Sequence, residues 1–134
     1  MNIFLEKQFI FNSSIDEISK NKDLLDSFFS IKASDGSFSL TSTFFKNNNR
    51  VTPKDFSSTI DLLNSSIHEI KCHPNYILFR KFNRTINFEF SWSEWAIAYN
   101  LKSTEDLNTN YSKVTYSQTI DDHWKIIQIT KSID

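Results

Sequence analysis

His68, Cys72 and His73 form the one metal-like cluster in this sequence. On a helix, His68 and Cys72 stand one turn apart and could share a zinc ion, with His73 or Glu69 as a third ligand. The buried stripe of such a helix, however, runs through Ile67 and Ile70 and leaves His68 and Cys72 at its margin. A capping histidine and a half-buried thiol at a helix end are the simpler account, because a cation suits the negative pole of the helix dipole. No metal ligand and no cofactor are therefore assigned. His123 stands beside Asp121 and Asp122, yet two adjacent aspartates read as a turn, and the many serines lack the sharp glycine-flanked elbow of a nucleophile. Glu89 and Glu94 lie in an aromatic stretch where either could face solvent. One glycine in 134 residues removes the phosphate-cradling loops of Walker and dinucleotide sites. The expectation is a protein without catalysis.

Arg80, Lys81 and Arg84 alternate with Phe79, Phe82 and Phe88, a mixture that can hold single-stranded nucleic acid by stacking and phosphate contacts. A net charge of −1 gives no sequence-wide footprint for such a partner. The same residues make a solvated hairpin tip with core-facing rings, and nucleic acid is not expected.

The elements that position these residues follow from periodicity and breakers. Residues 2–11, NIFLEKQFIF, carry apolar positions on both faces and read as a strand. Ser14 followed by Glu17 reads as a capping box opening a helix from about Ile15 to Ile31, with Ile15, Ile18, Leu25, Phe28 and Phe29 at helical spacing. Gly36 in ASDGS marks a turn, after which GSFSLTSTFF reads as a strand with Phe38 and Leu40 on one face. Thr52 as N-cap, Pro53 at the first helical position and Asp55 near the positive pole open a second helix. Its stripe is Phe56, Ile60, Leu63, Ile67 and Ile70, and Pro74 stops it.

Everything after Pro74 reads as strand. YILFRKF and TINFEFSW flank Asn83-Arg84, a two-residue turn without the favoured glycine. In NFEFSWSEWAIAYNL the phase of alternation changes at Ser93-Glu94, which predicts a bulge or a tight turn that keeps Phe88, Phe90, Trp92, Trp95 and Tyr99 on one side. Asn87, Glu89, Ser91 and Glu94 are then the outward set. WAIAYNL, YSKVTYSQTI and HWKIIQITK complete a meander of about five strands. The predicted fold is α+β: an antiparallel sheet with one or two further N-terminal strands, covered on one face by two helices, in a single domain over 1–134.

Length and composition agree. A chain of 134 residues with 39% hydrophobic and 15% aromatic residues has the apolar area for one core. A lone cysteine forms no internal disulfide, and the N-terminus MNIFLEKQFIF lacks the unbroken apolar run of a signal peptide, so a cytoplasmic protein is expected.

The C-terminal half, YILFRKF followed by FEFSWSEWAIAYNL, a polar loop and HWKIIQI, resembles small bacterial immunity proteins that neutralise toxins delivered between competing cells, including those of contact-dependent inhibition systems. The resemblance spans about residues 76–131. It implies a non-catalytic cytoplasmic protein that binds one toxin domain, with a nuclease among the possible targets, and that meets its partner through acidic and aromatic surface groups. The acidic candidates are Glu89, Glu94, Glu105, Asp106, Asp121 and Asp122. The terminal TIDDHWKIIQIT is also similar to the end of the cone-shaped fold of nuclear transport factor-like and polyketide-cyclase-like domains, in which a curved sheet wraps a helix around an apolar pocket. That fold opens with its helices, whereas here a strand is expected first and another between the two helices. If it applied, an enclosed cavity lined by Phe88, Phe90, Trp95 or Tyr99 would follow.

Overall fold

The computed structural model describes the backbone of residues 2–87 and 91–132, and the side chains of these except 2, 3, 5, 82–87, 91 and 132. Residues 2–11 are helical, not extended. Phe4, Phe11, Ile15 and Ile18, spaced by seven, four and three, form one buried face of helix α1 (Asn2–Lys20), which departs from helical dihedrals only at Lys7. Packing of that face outweighs the two-sided pattern that reads as a strand.

The expected capping box is corrected too, because Ser14 and Glu17 sit within α1 and look sideways. The Ser14 hydroxyl shares a 2.7 Å hydrogen bond with that of Thr59. Asn21 interrupts the helix with φ −109° and ψ 22°, so the helix expected over 15–31 is instead the end of α1 followed by the short α2 (Lys22–Phe28).

After Gly36 the strand is only β1 (Phe38–Leu40). Residues read as its continuation form α3 (Ser42–Asn47), where the Thr41 hydroxyl accepts the N–H of Phe44 at 3.3 Å. Pro53 opens a 3-10 turn (Pro53–Phe56) that leads into α4 (Ser57–Ser65), as its N1 preference predicts. The Thr52 side chain makes no capping bond. Glu17 supplies the cap instead, its carboxylate accepting the N–H groups of Ser58 at 3.0 Å and Thr59 at 2.8 Å. The helix ends well before Pro74, where the N–H groups of Ser66 and Ile67 both reach the Leu62 carbonyl.

Ile70 and Cys72 thus belong to a strand, β2 (Glu69–Cys72), and alternation rather than helical spacing buries both. It is followed by β3 (Ile77–Asn87), β4 (Ser91–Tyr99), β5 (Ser112–Thr119) and β6 (Trp124–Ser132). The fold is α+β with one six-stranded antiparallel sheet, order β1-β2-β3-β4-β6-β5. The five-strand meander expected after Pro74 is four strands, β3 to β6, and its sequential order holds only for β3 beside β4, since β6 inserts between β4 and β5. Asn83-Arg84 is not a turn: β3 runs through it, with a register shift between Lys81 and Thr85. There is no slip at Ser93-Glu94 either, and β4 pairs with β6 without interruption.

The helices cover one face of the sheet. There Phe4 and Phe11 meet Phe79 and Trp124, with Ile70, Ile97 and Ile126 beside them. The Trp124 indole N–H donates to Asn12 Oδ1 of α1 at 3.1 Å. A second wall of rings, Phe29 stacked on Phe38 and Phe28 edge-on to Phe44, ties α2 and α3 to β1. The opposite face buries a smaller cluster, with Leu78, Ala96, Ala98 and Ile127 under the segment that links β4 to β5.

Candidate functional site

Strand register places three turns side by side. Cys72 pairs with Ile77, Ile77 with Tyr99, Tyr99 with Trp124, and Lys125 with Thr119, so residues 73–76, 100–103 and 120–123 share one end of the sheet. Asp121 and Asp122 lie there, and Asp106 stands near Tyr76 of the first turn. Asp121 and Asp122 form the β5–β6 turn as expected, and Asp121 Oδ1 accepts the N–H groups of His123 at 2.8 Å and Trp124 at 3.0 Å. Glu105 and Asp106 occupy a 3-10 turn (Thr104–Leu107) fastened by the Ser103 hydroxyl, which accepts the Glu105 N–H at 3.3 Å, while Leu107 packs on the Tyr76 cluster. All four are exposed, and none joins an ion pair among the described residues.

The other two acidic candidates do not belong to this group. Glu89 lies outside the described residues, as do Phe88 and Phe90. Glu94 is not outward-facing: it is 1% exposed. With no slip in β4, Glu94 shares the phase of buried Ala96 and Ala98 and faces the helix-free side. Its Oε1 accepts from Arg80 at 2.6 Å and pairs with Lys131 at 3.2 Å, and Arg80 also binds Glu69 at 2.7 Å. Four strands are thus crossed by one alternating chain of charges. Burial opposes the Arg80 charge, but Glu94 and Glu69 outweigh it and hold the guanidinium more firmly protonated than usual. Arg80 is accordingly committed to these carboxylates rather than offered to a phosphate. The same phase puts Trp92 and Trp95 on opposite faces, which corrects the expectation of one shared side. Trp95 lies half-buried against the main core and edge-on to Tyr116.

The metal-like cluster is also taken apart. His68 is exposed ahead of β2, Cys72 points inward at its far end, and His73 follows in the turn. Four residues of extended chain span about 13 Å, too far for the two to share an ion. Among the described residues no group of three His, Cys, Asp or Glu side chains could hold a metal. Burial pushes the Cys72 thiol up to about 12, so it stays protonated and inert. His123 Nδ1 lies 3.0 Å from Asn100 Oδ1 rather than against an aspartate, and no Asp–His pair forms.

Sequence reasoning missed a cleft at this same end. It has a volume of about 370 Å³ and lies between the α1–α2 junction, β1 and the β2–β3 turn. Ile18, Leu25, Phe38, Ile77, Tyr76 and Tyr99 give it an apolar lining, while Lys22, Asp26, Lys32 and His73 supply polar groups. Gly36, the single glycine, lines it at φ +81°, and a Cβ there would come within 3.2 Å of Pro74 Cγ. The His73 ring stacks on Tyr76 at 4.1 Å, and its Nδ1 accepts the Asn75 N–H at 3.1 Å, which leaves Nε2–H as the donor of the neutral ring. Burial, with Asp35 and Asp106 nearby, raises the Tyr76 hydroxyl above its ordinary range, so it too remains a donor. Of the expected cavity lining, Tyr99 belongs to this cleft and Trp95 does not, while Phe88 and Phe90 lie outside the described residues. The positive-φ turn at ASDGS was the available signal, since a lone glycine commonly marks a close approach.

No protein-family model matches this chain, and neither a search of curated proteins nor one of solved structures gives a match. Among the described residues no helix is long and apolar enough to cross a membrane.

Proposed function

We propose that this is a non-catalytic cytoplasmic protein that binds and neutralises a toxin domain, meeting it with the acidic end of the sheet. The observation that supports this reading is that Glu105, Asp106, Asp121 and Asp122 are exposed and outside any ion pair among the described residues, with Asp121 and Asp122 on the β5–β6 turn and Asp106 near Tyr76 at the same end of the sheet. Uncompensated carboxylates on a rigid strand-end platform suit a basic partner such as a nuclease, because opposite charge accelerates encounter and selects orientation. The test is co-expression with the toxin-sized product of the gene immediately upstream. Rescue is expected with the natural chain, and weaker rescue with Asp106→Lys, Asp121→Lys and Asp122→Lys combined. Absence of any toxic neighbour, or rescue indifferent to the three reversals, refutes the proposal.

A second reading, a small-ligand-binding domain of the cone-shaped kind, gains from one observation. The chain opens with two helices rather than a strand, although β1 still stands between them and the later helices, and the cleft lies between α1, α2 and the sheet. The cleft is half open and displaced from Trp95, so its ligand must be argued from its own residues.

A further inference from the structure

Charges around the cleft do not balance. Asp26 is spent on Lys32 at 2.8 Å, and Asp35, just outside, on Lys71 at 3.3 Å. Lys32 also lies 5.7 Å over the Phe38 ring, so both its charge and its position are fixed. Lys22 has no ion-pair partner among the described residues. Of the charged side chains that line the cleft, the one outside any ion pair among the described residues is therefore a cation, Lys22. Asp106, likewise outside any ion pair among them, stands beyond Tyr76. The neutral donor His73 Nε2–H adds to the preference for an anion. The walls are aromatic, and the volume lies at the small end of the range for ligand pockets.

We propose that this cleft binds a small aromatic carboxylate, its ring against Phe38, Tyr76 and Tyr99 and its carboxylate held by Lys22 and His73. The inference rests on the second reading above and names its ligand class. An ammonium supplies a charge-assisted hydrogen bond that a neutral amide of the same shape does not draw on, so acid and amide must differ in affinity.

Titration of the full chain with indole-3-acetate and with indole-3-acetamide, followed by amide chemical shifts, tests this. The acid is expected to shift Gly36, His73 and Asn100 saturably, and the amide to bind about tenfold more weakly. Lys22→Gln should weaken the acid about tenfold with an unchanged melting temperature, as Lys22 is exposed. Ser19→Trp, an exposed position lining the cleft, should abolish binding in a folded protein. Equal binding of acid and amide overturns the carboxylate class and leaves a pocket. Shifts outside the cleft overturn the placement, and no saturable shift with either probe overturns both the proposal and the small-ligand reading.

Discussion

Glu94 shows how one side chain's phase can reverse its meaning. Read as a surface contact, it is instead the buried centre of a charge chain, and a buried carboxylate is sustained only by its partners. Glu94→Gln keeps the shape and removes the charge, so Arg80 and Lys131 lose the carboxylate between them. A loss of about 2 to 4 kcal/mol is expected, read as a lower urea midpoint at unchanged slope. Trp95→Ala, half-buried, should cost only about 1 to 2 kcal/mol. Cys72 sets a pH dependence. Its thiol ionises near 9.0 when unfolded and near 12 when folded, so above pH 9 the folded state holds the extra proton. Stability should then fall as pH rises from 9 toward 12, by up to about 1.4 kcal/mol per unit, and Cys72→Ala should lack this component. Melting curves of the two proteins between pH 8 and 10.5 check it. The acidic turn at Asp121-Asp122 was legible in the sequence because local turn chemistry decides it. Burial of Glu94 was not, because it depends on β6 lying beside β4.

At the level of elements, α1 holds α4 by a cap contributed in trans. Glu17→Ala should cost about 1 to 2 kcal/mol, whereas Thr52→Ala should stay within about 0.5 kcal/mol, because Thr52 Oγ1 caps nothing. Thermal melts of the two variants separate the cap suggested by local sequence from the cap that packing chose. The same contrast explains what was legible. Pro53 and Gly36 are steric punctuation and were read correctly. Residues 2–11 and 67–72 were not, since short apolar runs satisfy both periods and packing arbitrates. Phe4, Phe11, Ile15 and Ile18 carried a helical spacing hidden by the outward-facing Phe9. Asn64, Ser65 and Ser66 form a polar break ahead of the strand. In β3 the lack of glycine at Asn83-Arg84 was the clue that no tight turn forms there.

For the molecule as a whole, α1 and the sheet stand or fall together. Phe11 is fully buried against Phe79 and Trp124, so Phe11→Ala should cost about 3 to 5 kcal/mol, a large share of what a domain of this size possesses. Loss of the cooperative urea transition at 25 °C is the expected reading. The contact that seals this arrangement, Asn12 to Trp124, joins positions 112 apart in the chain. Strand β4 likewise waits for β6 before its second edge is paired. During synthesis the apolar face of α1 therefore remains partly uncovered, and the second edge of β4 unpaired, until the last strand exists. Non-local closure of this kind slows folding and leaves sticky intermediates exposed. Nascent chains stalled before residue 124 should accordingly be captured by chaperones, and their release should coincide with the arrival of a single tryptophan.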